Sequence, residues 1–244
     1  MFVKDEIVKW VREWFDANGS GCNAVIGLSG GKDSSIAAAL CVAALGKDRV
    51  VGVLMPNGDE GADDADAVEL ADFLRIRRYI INIRKANDDI LEQMATNGIN
   101  PLRQTTFNLP ARLRMASLYA VSQSLNGRVV NTCNLSENWV GYSTRYGDDA
   151  GDFSPFSDLT VGEVKQIGGA LGLPRKFTDK VPADGLSGKT DEDSFGFSYE
   201  TLDKYIRTGV CGDAAAKSKI DTLHQKNRFK LEPMSKFKMT EENK

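Results

Sequence analysis

A chain of 244 residues with a single histidine has little room for imidazole chemistry, and that one residue, His224, falls in a lysine-rich stretch where it need not act as a base. Cysteine is also sparse. Cys22, Cys41, Cys133 and Cys211 are scattered with no C-x-x-C pair, so reduced, partly buried thiols are expected, not a metal site or a disulfide framework. No apolar run approaches about 20 residues, which excludes a predicted membrane span. The first residues carry acids and two tryptophans and do not read as a signal peptide, so a cytoplasmic protein is expected. A net charge of −3 argues against a general nucleic-acid binder. Internal repeats and low-complexity segments are missing too. With 41% hydrophobic and 27% charged residues, the chain reads as one soluble α/β domain spanning 1–244.

What is present centres on Ala24-Val25-Ile26-Gly27-Leu28-Ser29-Gly30-Gly31-Lys32-Asp33-Ser34-Ser35. The run Ala24 to Leu28 suits a buried parallel strand. Gly30 and Gly31 permit backbone angles and a close approach that a Cβ forbids. Ser34 and Ser35 are expected to open a helix through Leu45, whose free N–H groups then face the loop. Strand, glycine turn and helix start together make an anion cradle. It is not a Walker loop: Ile26 stands where that pattern needs Gly, and Asp33 where it needs Ser or Thr. No G-x-G-x-x-G occurs. The remaining pattern, Ser-Gly-Gly-x-Asp-Ser, resembles the pyrophosphate loop of the N-type ATP pyrophosphatases, which split ATP between the α- and β-phosphates. In that chemistry Ser29, Ser34 and the loop amides hold pyrophosphate, Lys32 adds charge and Asp33 offers a hard oxygen to Mg²⁺.

In chain order, Val3, Ile7, Trp10, Val11, Trp14 and Phe15 form the stripe of an amphipathic first helix ending at Asn18-Gly19-Ser20-Gly21. A second buried strand follows at Arg49–Pro56, whose end places Leu54 and Met55 as candidates to touch an adenine. The acidic run Asp59–Asp66 misses the EF-hand pattern and is read as a helix start continuing through Val68, Leu70, Ala71 and Leu74. A third strand is expected at Arg78–Ile83 and a third helix at Asn87–Met94. Alternating strands and helices at this spacing predict a doubly wound parallel sheet with a helical C-terminal segment. Asn108–Met115 opens a long helix with Pro110 in its first turn and Leu113, Ala116, Ala120 and Val121 inward. Arg112 and Arg114 then sit near a helix start, where the dipole disfavours cations, which marks at least one of them for a ligand. Arg128–Thr132 is a fourth strand, leading into a long polar, aromatic loop, Cys133–Asp148, of the kind that carries sites.

Here the resemblance narrows. Asn108–Met115, Thr132–Glu137, Arg145–Asp152 and Lys180–Leu186 resemble the blocks of ammonia-dependent NAD synthetase in their order and spacing, and with the glycine loop they cover nearly the whole chain. The resemblance implies an adenine-nucleotide α-hydrolase-like fold and an amidation of deamido-NAD by ammonia, driven by ATP. It implies that Asp33 and Glu137 hold Mg²⁺ and are catalytic together with Lys32. It implies that Gly27, Leu28, Ser29, Gly30, Gly31, Lys32, Asp33, Ser34 and Thr132 bind ATP, and that Arg112, Arg145, Asp152 and Lys230 hold the dinucleotide across a homodimer interface. Arg145 stands where relatives often carry Lys. Val161 stands where many have an ATP-contacting Lys, leaving Lys165 as a substitute, and Ala183 where many have Thr.

The chemistry agrees. A carboxylate is a poor acyl donor, so its amidation needs an activated intermediate. An acyl-adenylate formed with loss of pyrophosphate is consumed by ammonia with loss of AMP, through positioning and charge neutralisation alone. Asp184–Phe197 reads as a mobile loop that orders over the ligands and excludes water. Helices are expected at Tyr199–Arg207 and Ala214–Lys226, followed by a basic tail. With no glutaminase domain in view, free ammonia or ammonia from a separate protein is the expected nitrogen source. Two alternatives stand: another ATP pyrophosphatase, thiolating tRNA or amidating a nucleotide, and a non-catalytic adenine-nucleotide sensor. A thiolase wants paired reactive cysteines, and a sensor does not need two metal carboxylates.

Overall fold

The structure, a computed structural model, describes residues 3–59, 61–180 and 190–239. Among these residues four parallel strands form one sheet in the order β3-β2-β1-β4: β1 Asn23–Gly27, β2 Val50–Leu54, β3 Arg77–Ile80 and β4 Gly127–Val129. β1 pairs with β2 in the register Ala24↔Val50 to Gly27↔Val53, and with β4 in the register Asn23↔Gly127 to Val25↔Val129. Helices cover both faces, as the sequence predicts. On one face Ala24, Ile26, Val50 and Leu54 meet α1 (Val3–Asn18), α2 (Lys32–Leu45), α3 (Ala62–Leu74), α7 (Val161–Ala170) and α8 (Arg175–Thr178). On the other, Val25, Val51 and Val53 meet Leu118 of α5 (Arg103–Ser124) and Ile83, which precedes α4 (Arg84–Thr96). A separate cluster gathers the C-terminal helices α9 (Asp191–Phe195), α10 (Tyr199–Thr208) and α11 (Ala214–Leu231) around Phe195, Leu202 and Ile220, with Val140 and Val161.

β2 is hydrophobic throughout because both its faces are buried, whereas β3 is an edge strand with all four residues exposed. Gly52 has a packing reason. A Cβ there would come within 2.4 Å of Leu28 Cδ1, so Leu28 folds down onto the neighbouring strand. In the first helix Val11 and Phe15 are buried and Trp14 stacks on Phe153 with ring centroids 4.5 Å apart, but Val3 and Trp10 remain exposed.

Several boundaries differ from the sequence reading. α2 begins at Lys32, two residues before Ser34, so Lys32 and Asp33 belong to its first turn. α5 begins at Arg103, which puts Pro110 inside the helix and leaves Ala116 and Ala120 exposed, with Leu118 and Ser122 buried in their place. The dipole argument for Arg112 and Arg114 therefore fails, since both lie in mid-helix. The third and fourth strands end earlier than predicted. The long loop after β4 contains the short helix α6, Leu135–Trp139, capped by the Asn134 side chain. Residues 226–231 belong to α11 and are not a tail. The described part of the predicted loop Asp184–Phe197 contains a short helix: Thr190 caps α9, and Asp191, Phe195 and Phe197 are buried.

Candidate active site

β1 has β2 on one side and β4 on the other, so the chain leaves β1 toward one half of the sheet and returns to the other. The crevice opened by such a switch lies beyond the strands' C-terminal ends, and two segments meet there: the loop after β1 and the segment after β4. The loop turns at Gly30, whose φ of +73° is left-handed and favours glycine. At Gly31 a Cβ would stand 3.2 Å from Ser29 Oγ, and the Gly31 N–H donates to that oxygen at 3.3 Å. Ser29 and Ser34 share a hydrogen bond at 3.1 Å, and Ser34 and Ser35 both donate to the Gly31 carbonyl. The cradle is thus tied shut by its own hydroxyls.

Lys32 and Asp33 follow at the start of α2. The Lys32 ammonium, almost fully buried, lies 2.6 Å from Asp33 Oδ2 and 3.8 Å from Glu137 Oε1. Glu137 comes from α6, where its N–H is held by the Asn134 side chain at 3.0 Å. Burial pulls the Lys32 pKa down, but Asp33, Glu137 and Asp191 outweigh it, and the ammonium is held above its ordinary value. Burial and the neighbouring Asp33 carboxylate push the Glu137 carboxyl well above the usual range, with Lys32 opposing. One cation among so many carboxylates leaves negative charge uncompensated. Asp33 Oδ1 is buried with no hydrogen-bond partner. A hard oxygen orphaned beside a second carboxylate fits a small divalent cation such as Mg²⁺, which takes one or two protein carboxylates and keeps water and phosphate oxygens for the rest.

Leu28 and Gly27 are present at the site as backbone only. The Leu28 N–H is spent on Val53 at 2.9 Å, and Gly27 leaves room for Met55, whose Cε would meet a Cβ at 3.2 Å. Leu54 and Met55 face opposite sides of the sheet, in different core clusters, so a single base does not meet both side chains. Leu54, with Pro56, Val68 and Ile80, lines a cavity of about 550 Å³ beside α3. Thr132 is half-buried just beyond β4.

Three of the four expected dinucleotide ligands gather around the loop 141–148. Arg112 Nε donates to the Arg145 carbonyl at 3.3 Å; Arg145 donates to the carbonyls of Phe229 and Glu232; Lys230 donates to those of Gly141 at 2.6 Å and Ser143 at 3.3 Å. The structure binds two of these cations to the chain itself, joining α11 to the loop. Asp152 is committed elsewhere, accepting from the Val129 N–H at 2.6 Å and from the Tyr119 hydroxyl. Val161 is a core residue whose N–H donates to Ser136 Oγ, so no Lys function survives there; Lys165 is half-exposed, and Ala183 lies outside the described residues.

The sequence reading missed one group. Asp191 is buried and accepts hydrogen bonds from Tyr142 at 2.8 Å and Tyr199 at 3.0 Å, and the Tyr199 ring centroid is 5.9 Å from the Lys32 ammonium. Tyr142 falls in the aromatic loop already singled out, but nothing in the spacing ties Asp191 or Tyr199 to Lys32.

Known proteins resemble the chain in sequence and in fold. The family model described as NAD synthase matches residues 3–241. A Methanocaldococcus jannaschii protein named NH₃-dependent NAD⁺ synthetase is 36% identical over 240 residues, covering 96% of this chain and 88% of that one. Among solved structures, an NMN synthetase from Francisella tularensis superposes with a TM-score of 0.88 at 32% identity, covering 97% of this chain and 98% of that one. The NH₃-dependent NAD synthetase of Campylobacter jejuni gives 0.78 at 30% identity, with 97% of both chains covered. Agreement over almost the full length, with a cradle and paired carboxylates in the switch-point crevice, makes this chain a member of the NAD synthase family.

Proposed function

We propose that the chain makes NAD from deamido-NAD, ammonia and ATP as a magnesium-dependent, AMP-forming ligase, with Lys32, Asp33 and Glu137 at its centre. The observation that carries this assignment of roles is the meeting of Lys32 and Asp33, from one side of the switch point, with Glu137 from the other. The pyridine carboxylate attacks the α-phosphorus of ATP, and the bond to the β-phosphate bridging oxygen breaks, releasing pyrophosphate. Ammonia then attacks the acyl carbon, loses a proton and expels AMP. Ser29, Gly30, Gly31 and Ser34, with the N-terminus of α2, hold the departing pyrophosphate, and Lys32 neutralises its charge. Asp33 and Glu137 would hold Mg²⁺, which supplies Lewis-acid stabilisation of the phosphate oxygens when bound. The backbone of Gly27 and Leu28, together with Met55 and Thr132, borders the ATP site. Arg112, Arg145, Asp152 and Lys230 receive the dinucleotide. For Arg145 and Lys230 this requires exchanging loop and α11 carbonyls for phosphate oxygens. We also assign a homodimer working in the cytoplasm; no described helix is long and apolar enough to cross a membrane.

The test mixes purified protein with ATP, Mg²⁺ and deamido-NAD, with and without ammonium, and follows AMP, pyrophosphate and NAD. NAD formed only in the complete mixture, and lost in Asp33→Ala and Glu137→Ala, is the expected result; pyrophosphate released only with a different acceptor overturns the substrate. A second reading keeps the chemistry and shortens the acceptor to the acid mononucleotide. The close superposition on a protein named NMN synthetase supports it. Competition between the two acids, read as the ratio of their kcat/KM values, decides between them.

A further inference from the structure

We propose that Arg114 is a substrate-contacting residue, a guanidinium fork that grips a phosphate oxygen of the nucleotide substrate beside the glycine loop. The inference rests on the ligase reading above and adds a cation to it. Residues two apart on a helix point about 200° apart, so Arg112 and Arg114 leave α5 on opposite sides. Arg112 reaches the loop carrying Arg145, whereas Arg114 Nε donates to the Met55 carbonyl at 2.9 Å, just past the end of β2. β1 and β2 are parallel with Gly27 beside Val53, and Leu28 N–H bonds the Val53 carbonyl. The pairing ends there, and Ser29 and Met55 each lie two residues past the Gly27–Val53 pair, so the Met55 carbonyl leaves β2 at the same C-terminal edge from which the cradle leaves β1.

This side chain's one acceptor among the described residues is a neutral carbonyl. Among the described residues no carboxylate lies within ion-pair distance of it, in contrast to Arg78 with Asp72, Arg84 with Asp88 and Arg207 with Glu163. Asp64 and Asp148 attract it from farther off, and the surrounding protein pulls its pKa down. The side chain is nonetheless partly open to solvent. A planar fork with one N–H pinned has four more to offer, and a phosphate is the anion such a fork matches.

Both ATP and the pyridine nucleotide carry phosphates, so the test separates them. In the full-length protein, Arg114→Met, Arg114→Lys and Arg114→Ala are compared with wild type for kcat and KM of each substrate. Binding of ATP alone and of the acid substrate alone is measured by calorimetry. Losing a charged hydrogen-bond donor predicts a fall of about 10- to 100-fold in kcat/KM and in affinity for one nucleotide only, with Arg114→Lys intermediate. Millimolar methylguanidinium should restore part of the Arg114→Ala loss. A fall confined to ATP sets the fork on ATP; a fall confined to the acid sets it on that substrate. Unchanged binding of both, or equal losses for both with a lowered Tm and no rescue, overturns the proposal and leaves Arg114 as a brace for the end of β2. A wild type that binds nucleotide but turns over neither acid defeats the ligase reading, while the binding comparison still decides Arg114.

Discussion

Lys32 shows how a site can be charged and stable at once. Its ammonium is buried against Asp33 and near Glu137 and Asp191, so removing it leaves buried carboxylates facing one another. Lys32→Met is expected to cost about 3 kcal/mol or more of stability, read from the urea midpoint, and to abolish pyrophosphate release. Lys32→Arg should keep more of the stability than of the activity. Tyr199→Phe deletes one donor to buried Asp191 and leaves Tyr142 as the other. A loss of about 1–3 kcal/mol in the same assay is expected, without loss of metal dependence. The loop residues were legible because glycine, serine and aspartate at fixed spacing report their own local geometry. Asp191 and Tyr199 were not: they reach Lys32 through tertiary packing of the C-terminal cluster, and periodicity carries no trace of a contact between distant segments.

At the scale of elements, two joints can be loosened separately. Glu163, the N3 residue of α7, pairs with Arg207 of α10, and that guanidinium holds its carboxyl below the ordinary value. A carboxyl depressed in the folded state stabilises above its unfolded pKa, and the contribution fades as pH falls through the folded one. Glu163→Gln should therefore lower stability near pH 7 by about 0.5 kcal/mol, since the pair is partly solvated, and the difference from wild type should shrink in acid. Chemical denaturation at pH 7 and pH 3 measures both. Gly52→Ala drives a Cβ into Leu28 on the adjacent strand and is expected to cost about 1–3 kcal/mol, seen as a lowered Tm. The strands were legible as apolar runs. The start of α5 was not, because Pro110 imitates a first turn while the helix begins at Arg103 and accommodates the proline inside.

Taken whole, the molecule is a four-stranded sheet wrapped on both faces, with a helical cluster leaning on the crevice. The alternation of elements made that plan readable, and the glycines marked the turn that follows β1. Assembly of copies is an expectation that comes from the resemblance alone. Exposed Ile80 on the edge strand, and Ile99 and Leu102 between α4 and α5, are apolar residues left uncovered on one chain. The homodimer reading predicts a particle of twice 26.7 kDa by light scattering; a mass of one chain at working concentration refutes it.

The pairing of β1 with β4 has a consequence in time. Asn23 finds Gly127 across about a hundred residues of intervening chain, whereas β1 and β2 are joined by one short crossover. Closing the larger loop carries the larger entropic cost, so the β1–β2 unit is favoured to form first during synthesis, and Glu137 arrives only once β4 docks. A nascent chain halted before that point owns the glycine loop without its second carboxylate. In such a chain Lys32 already has Asp33 as its neighbour but lacks the Glu137 oxygen that stands 3.8 Å away in the complete fold.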